Sequence, residues 1–375
     1  MRYFSKKGII QKPDAALVVL WLGIWIFLGL FVLYPLARLI YLVFFADGKL
    51  SLAILSKVFG SWYNKKAFVN SMVLASAVGF GGTALGFLFA FSVTRIELPK
   101  IVKWFLRAII VLPFVSPPFT SSIALTMVLG PNGLLLKLLH MPDFNIYGFL
   151  GTWIAETLTY FPVAFLTLTT VLEAIDPNLE DAAMSMGSTP WQAFCTVTLP
   201  LSIPGLANSF LLLFGSSLAD FATPLVMAGH TFPVLTTQAY MQITGMYDMQ
   251  GGAAISFALL VPALIVYLLQ HYWVESRYYV TVSGKAGARF KPKGAGTFAE
   301  VVMLAVISLI SLFIIFLYSI IFLGSLIKVW GVDNSLTLEN YVYVFTVGRK
   351  AVKDTVTIAL VSTVVGGAIG VVIGY

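Results

Sequence analysis

Polar positions in this chain are gathered into short clusters, and the stretches between them are nearly unbroken apolar runs. About 20 such residues are enough for a helix to cross a bilayer core of about 30 Å. The pattern predicts spans near 15–44, 67–93, 101–129, 147–172, 205–228, 252–273, 299–327 and 354–375. A β-barrel would need alternating segments of about 10 residues, and backbone groups in lipid must be bonded internally. The expected fold class is therefore all-α, a polytopic transmembrane helical bundle. The third span carries Pro113, Pro117 and Pro118, each of which removes a helix hydrogen bond or its geometry. Non-helical backbone at that depth must be buried in protein or line a wet cavity, which makes 113–118 a candidate wall of a pathway.

The chain also repeats itself. Lys66-Ala67-Phe68-Val69-Asn70-Ser71 matches Lys350-Ala351-Val352-Lys353-Asp354-Thr355 at an offset of 284, and Gly82 and Gly86 fall opposite Gly366 and Gly370. Upstream, Leu50-Ser51-Leu52 and Val58-Phe59 match Leu336-Thr337-Leu338 and Val344-Phe345 with a two-residue gap. Internal similarity of this kind predicts one structural unit copied. The expectation is a six-helix unit over 1–290 and the start of a second, parallel copy over 291–375, the front part of a longer tandem protein.

Composition agrees with lipid. Hydrophobic residues are 59% of the chain and charged residues 10%, against roughly 25% charged in soluble domains. The net charge of +7 does not imply nucleic acid, because the basic residues sit beside apolar runs, where they set orientation and meet anionic headgroups. With the N-terminus inside, Arg2, Lys6, Lys7, Lys12, Arg95, Lys100, Lys103, Arg107, Arg277, Lys285, Arg289, Lys291 and Lys293 are cytoplasmic, 13 basic residues against 9 outside, which favours that orientation. The first apolar run, from Ala15 to about Phe45, is too long for a signal-peptide core of about 7–15 residues and reads as an uncleaved span. Cys195 is the single cysteine, which excludes a disulfide framework and a Cys-rich metal site. His140, His230 and His271 have no ligand-spaced companions, so no metal site is expected.

One inner loop breaks the charge pattern. Residues 173–204 contain no Lys or Arg but carry Glu173, Asp176, Glu180 and Asp181. The run from Asn178 to Gly187 reads as a short helix ending at glycine, which tolerates left-handed angles. A second helix should start at Pro190 after a Ser188 or Thr189 cap, with Pro200 and Pro204 closing the segment before the next span. Ala182 and Ala183 would let another surface come close, so the loop is expected to answer to a partner protein.

This loop resembles the EAA motif of binding-protein-dependent ABC importer permeases, E-A-A-x3-G followed after nine residues by I-x-L-P. Asp181 stands where Glu is usual and Val197 where Ile is usual, while Ala182, Ala183, Gly187, Leu199 and Pro200 fit with full spacing. The resemblance implies that Glu180, Asp181, Ala182, Ala183, Gly187, Leu199 and Pro200 belong to the loop that couples a cytoplasmic ABC ATPase dimer to the membrane bundle. It further implies an extracytoplasmic substrate-binding protein, a bacterial inner-membrane location, and no cofactor on this chain, ATP–Mg being held by the partner. Gly130-Pro131-Asn132-Gly133-Leu134-Leu135, Ser217-Leu218-Ala219-Asp220-Phe221 and Tyr279-Val280-Thr281-Val282-Ser283-Gly284-Lys285 resemble fused ferric-iron permeases. Relatives of that group carry 2-aminoethylphosphonate, thiamine or polyamines.

The chain carries no phosphate-cradling G-x4-G-K-[ST] loop: Gly48-Lys49 and Gly284-Lys285 lack both the upstream Gly and the following Ser/Thr. It is read as a transport subunit without catalytic residues, its competitor being an ion-coupled secondary carrier, whose repeats are commonly inverted. Asp220 and Glu156 lie within spans, where a charge costs about 2.5–3.5 kcal/mol on insertion scales. They are candidate translocation-path residues together with Pro113 and Pro117, or else caps and packing partners. Arg38 reads as a snorkelling residue. Met184, Met186, Trp191 and Phe194 are candidate docking contacts, packing of the loop onto the bundle being the alternative.

Overall fold

The computed structural model describes residues 15–46, 48–140, 144–274 and 297–374. Residues 1–14 and 275–296, with most of the basic residues assigned to the inner side and the Tyr279–Lys285 motif, lie outside them. Eight of the described helices are long and apolar enough to cross a membrane.

The chain opens with α1 (Ala15–Leu28) and α2 (Tyr34–Phe44), joined by a π-helical turn over Gly29–Leu33. A two-stranded hairpin, β1 (Phe45–Ala46) and β2 (Lys49–Leu50), leads to α3 (Ala53–Gly60) and to the long α4 (Trp62–Arg95). The third expected span is divided into α5 (Lys100–Val115) and α6 (Thr120–Leu129), followed by α7 (Leu134–Leu139). Then come α8 (Phe149–Ala174), the loop helices α9 (Pro177–Ser185) and α10 (Pro190–Ala193), and α11 (Leu199–Ala219). Next are α12 (Ala222–Met227), α13 (Leu235–Tyr240) and α14 (Met249–Leu269). After the undescribed segment, α15 (Thr297–Ser325), β3 (Ile327–Val329), β4 (Asp333–Leu336), α16 (Glu339–Thr346) and α17 (Arg349–Gly374) follow. The order helix, hairpin, short helix, long helix thus occurs twice.

The bundle is centred on α4, α8 and α11. Lipid tails are as apolar as leucine, so helices in a bilayer associate through close packing of small residues rather than through the hydrophobic effect. At Gly86 an added Cβ would lie 2.6 Å from Ala164 Cβ and 2.8 Å from the Phe165 nitrogen, so only glycine lets α4 and α8 touch there. Phe89, Phe161, Phe165, Leu213 and Leu125 fill the space around this crossing, and α15 adds Ile314 and Leu317. A second cluster joins α2, α3, α13 and α14 through Val43, Val58, Leu235 and Ile255. Helix α17, by contrast, has none of its membrane-spanning window buried among the described residues.

The second hairpin is docked on the first unit. Trp330 Nε1 donates to the Met127 carbonyl at 2.8 Å, Lys137 Nζ donates to the Gly331 carbonyl at 2.5 Å, and Gly331 lies against Asn132. Asn132 of the Gly130–Leu135 motif, with the flanking Met127 and Lys137, therefore forms the seat of that hairpin.

Candidate functional site

The loop between α8 and α11 is built by strong local signals. Asp176 caps α9 by accepting from the Asn178 N–H at 2.9 Å, and Pro177 occupies the first helical turn. The helix ends at Gly187, φ +97°, where Gly187 N–H donates to Met184 O at 3.0 Å and Ser188 N–H to Ala183 O at 3.1 Å. That pair of bonds is a Schellman ending, which satisfies the terminal carbonyls and requires the left-handed residue. Helix α10 opens with a reciprocal capping box between Thr189 and Gln192, at 2.8 and 3.2 Å.

The loop's second helix differs from the expectation. It does not stop at Pro200 and Pro204: α10 runs through a π-helical segment, Phe194–Thr198, into α11, one 30-residue helix over Pro190–Ala219. Proline at an α-helical interior clashes with the carbonyl four residues back. The π turn eases that conflict at Pro200, since Leu199 N–H reaches back five residues to Phe194 O and Pro200 falls in the turn that follows, while Pro204 lies inside α11. The span expected at 205–228 accordingly starts earlier and ends at Asp220, and half of the loop is the inner end of a membrane helix.

Glu180 turns inward. Its Oε1 lies 3.2 Å from Arg95 Nη2 and accepts from Thr198 Oγ1 at 2.7 Å, while the same Arg95 nitrogen donates to the Leu172 carbonyl at 3.2 Å. Arg95 and Glu180 are 5% and 7% exposed. Four elements meet here: the last residue of α4, the last turn of α8, α9, and the π segment leading to α11. Leu172 offers one of the terminal carbonyls that no helical N–H satisfies, at the negative end of the α8 dipole, where a cation is favoured. Removing one partner of such a buried pair costs about 3–5 kcal/mol, because the other charge is left without compensation. The neighbouring Arg107–Glu173 pair, at 3.7 Å and more than half exposed, is a surface pair of little energetic weight.

Two faces of the loop can now be separated. Ala183 and Ala193 are buried, and the Phe194 ring packs on Phe87, Phe91 and Trp191. Ala182, Met186, Gly187 and Pro200 are exposed, Asp181, Met184 and Leu199 are half-buried, and Met186 and Trp191 stand 82% and 58% open. Large apolar side chains held outward on a rigid turn form a surface suited to a protein partner.

The span carboxylates are also placed. Glu156 on α8 is fully buried and accepts from Ser217 Oγ on α11, and its Oε1 has no hydrogen-bond partner among the described residues. Asp220 sits where α11 stops. Its Oδ1 accepts from the Ala222 and Thr223 N–H groups at 2.9 and 3.3 Å, and its Oδ2 has no hydrogen-bond partner among the described residues. The proline break lies between α8 and α15: Ser116 Oγ bonds the Pro113 carbonyl at 3.0 Å and Tyr318 OH at 2.5 Å, and Thr159 Oγ1 donates to Pro118 O at 3.4 Å. Pro113 is buried inside α5 and Pro117 exposed. Ser217 links the two carboxylates, donating through Oγ to Glu156 and accepting the Asp220 N–H on its carbonyl at 3.1 Å, whereas the proline break contacts α8 and α15.

Residues 82–278 match the family described as binding-protein-dependent transport system inner membrane component. The chain belongs to this family. The permease is 32% identical over 357 residues to the ferric transport system permease protein FbpB of Actinobacillus pleuropneumoniae, covering 92% of this chain and 50% of the relative. It is 31% identical over 351 residues to a putative ferric transport system permease protein of Haemophilus influenzae, covering 90% and 54%. It thus spans about half the length of these curated relatives. The sulfate transport system permease protein CysT of Escherichia coli is 28% identical, covering 58% of this chain and 79% of the relative. Among solved structures, a bacterial ABC transporter involved in the import of alginate has the same fold, with TM-score 0.58, 18% identity, and 70% and 96% of the two chains covered. The chain is a multi-pass membrane protein of this transport-system family.

Sequence reasoning missed the roles of Arg95, Leu172 and Thr198 in the permease. Arg95 reads as one more basic residue at the end of a span, and it stands far from Glu180 along the chain. The faint signal was the acidic residue just before the motif in a loop without any Lys or Arg of its own.

Proposed function

We propose that the permease is the membrane-spanning unit of an ATP-driven importer and that its cargo is ferric iron, delivered by an extracytoplasmic binding protein. A cytoplasmic ABC ATPase dimer, which carries ATP–Mg, seats on the loop face bearing Ala182, Met186 and Trp191. The N-terminus is cytoplasmic, in a bacterial inner membrane, with 1–290 as the first permease unit and 291–375 as the start of a second. The observation that carries this reading is the loop itself: a rigid helical turn, open on one face and pinned on the other to α4, α8 and α11. Movement imposed on such a turn is passed to three central helices at once. The iron assignment is supported by the two ferric transport relatives and by the buried carboxylates Glu156 and Asp220, which suit a cationic cargo.

Transport follows if ATP closure of the ATPase favours one state of the bundle over the other. The test is uptake of radioactive iron by proteoliposomes holding the permease with its ATPase and binding protein. Uptake should require hydrolysable ATP and survive a protonophore. Iron entry without ATP that collapses with the proton gradient would make the protein a secondary carrier instead.

A further inference from the structure

We infer that the Arg95–Glu180 pair is the mechanical link through which the loop drives α4, Arg95 being a positioning residue for coupling. The inference rests on the importer reading above.

The argument starts from how each loop helix is attached. Helix α10 is continuous with α11, so its displacement reaches that span through covalent backbone. Helix α9 follows α8 after only Ile175 and Asp176. Helix α4 has no chain connection to the loop, yet it lies at the centre of the bundle against both α8 and α11. Side chains that bring α4 to the loop include Phe87 and Phe91, which meet Phe194 tilted and edge-on, and Arg95. Aromatic stacking is soft in direction, since tilted and edge-on arrangements are nearly equal in energy. A charge-assisted bond is directional and short-ranged.

The ion pair is also placed where it resists stretching. Glu180 and Ala183 are the buried residues of α9, so the carboxylate is the polar anchor of that helix. One Arg95 nitrogen serves the Glu180 carboxylate and the Leu172 carbonyl together, and one Glu180 oxygen serves Arg95 and Thr198 together. Sliding α9 relative to α4 would break the Arg95–Glu180 contact, and sliding α8 would break the bond to Leu172, in a site closed to water where no solvent replaces them. The loop, the end of α8 and the end of α4 therefore move as one body. A clamp meant only for stability would not need charge: a well-packed apolar pair of similar volume serves as well or better.

That difference supplies the experiment. The double variant Arg95→Met/Glu180→Leu removes both charges while keeping volume, and Arg95→Lys keeps the charge but loses the planar fork. Both are assayed as the full chain with its ATPase and binding protein in proteoliposomes, reading iron imported per ATP hydrolysed. The expected result is that the double variant reaches the membrane and retains the ATPase, yet imports about tenfold less iron per ATP, with Arg95→Lys intermediate. A double variant with the wild-type ratio would show that the pair only packs, and the inference falls. Loss of both variants from the membrane would make the pair a folding element, which overturns it equally. Wild-type uptake indifferent to ATP would instead defeat the importer reading itself, and the clamp with it.

Discussion

Gly86 and Gly370 occupy matching positions along the repeat, and the structure assigns opposite consequences to the same substitution. At Gly86 the new methyl would sit 2.6 Å from Ala164 Cβ and 2.8 Å from the Phe165 backbone nitrogen, whereas carbon atoms rest at about 3.5–4.0 Å. Relief requires α4 and α8 to separate by about 1 Å, and the contact is backbone, so no flexible side chain can yield. Overpacking of this kind costs about 1–3 kcal/mol. Alanine also gains about 0.8–1.0 kcal/mol over glycine in a helix interior, leaving Gly86→Ala between neutral and about 2 kcal/mol less stable. At Gly370 nothing lies within 4 Å of the added atom, so Gly370→Ala keeps the propensity gain alone. The helix term cancels between the two variants, and their stabilities should differ by about 1–3 kcal/mol. The assay is reversible unfolding of the 375-residue chain in mixed micelles, titrated with a denaturing detergent and followed by far-ultraviolet circular dichroism. Equal stability of the two variants, or greater stability of Gly86→Ala, would refute the proposed α4–α8 contact.

Gly187→Pro should abolish ATP-linked iron uptake while the protein still inserts, because proline holds φ near −65° where the Schellman turn needs +97°; uptake and membrane content are measured side by side. Cys195 is free and exposed beside the proposed seat of the ATPase, so its labelling by a bulky maleimide should slow several-fold when the ATPase is bound, and an unchanged labelling rate would place the seat elsewhere. Asp220→Asn keeps a good helix cap whereas Asp220→Ala loses one, at about 1 kcal/mol. If the charge serves a cationic cargo, both variants should lose iron uptake; if Asp220 is only a cap, uptake in the Asn variant will equal wild type.

The membrane class, most spans and the doubled order of elements were legible in the linear pattern, for a physical reason. In lipid every backbone group must be bonded within its own helix, so the length and polarity of a segment fix its structure with little reference to its neighbours. The Thr189 cap and the Gly187 turn were legible for a related reason, since capping is a contact between residues a few positions apart. Three things were decided only by the packed bundle. The π turn that carries α10 through Pro200 into α11 is a balance between local strain and a continuous helix, which proline spacing alone reads as a stop. The inward aim of Glu180 depends on Arg95 and Leu172, brought to it by the crossing of α4 and α8. The division of labour among Met186, Trp191 and Phe194, two open and one packed on Phe91, depends on which side of the loop faces α4. Helices and caps are set by near neighbours along the chain, whereas charge pairing and the choice of open face are set by neighbours that only folding supplies.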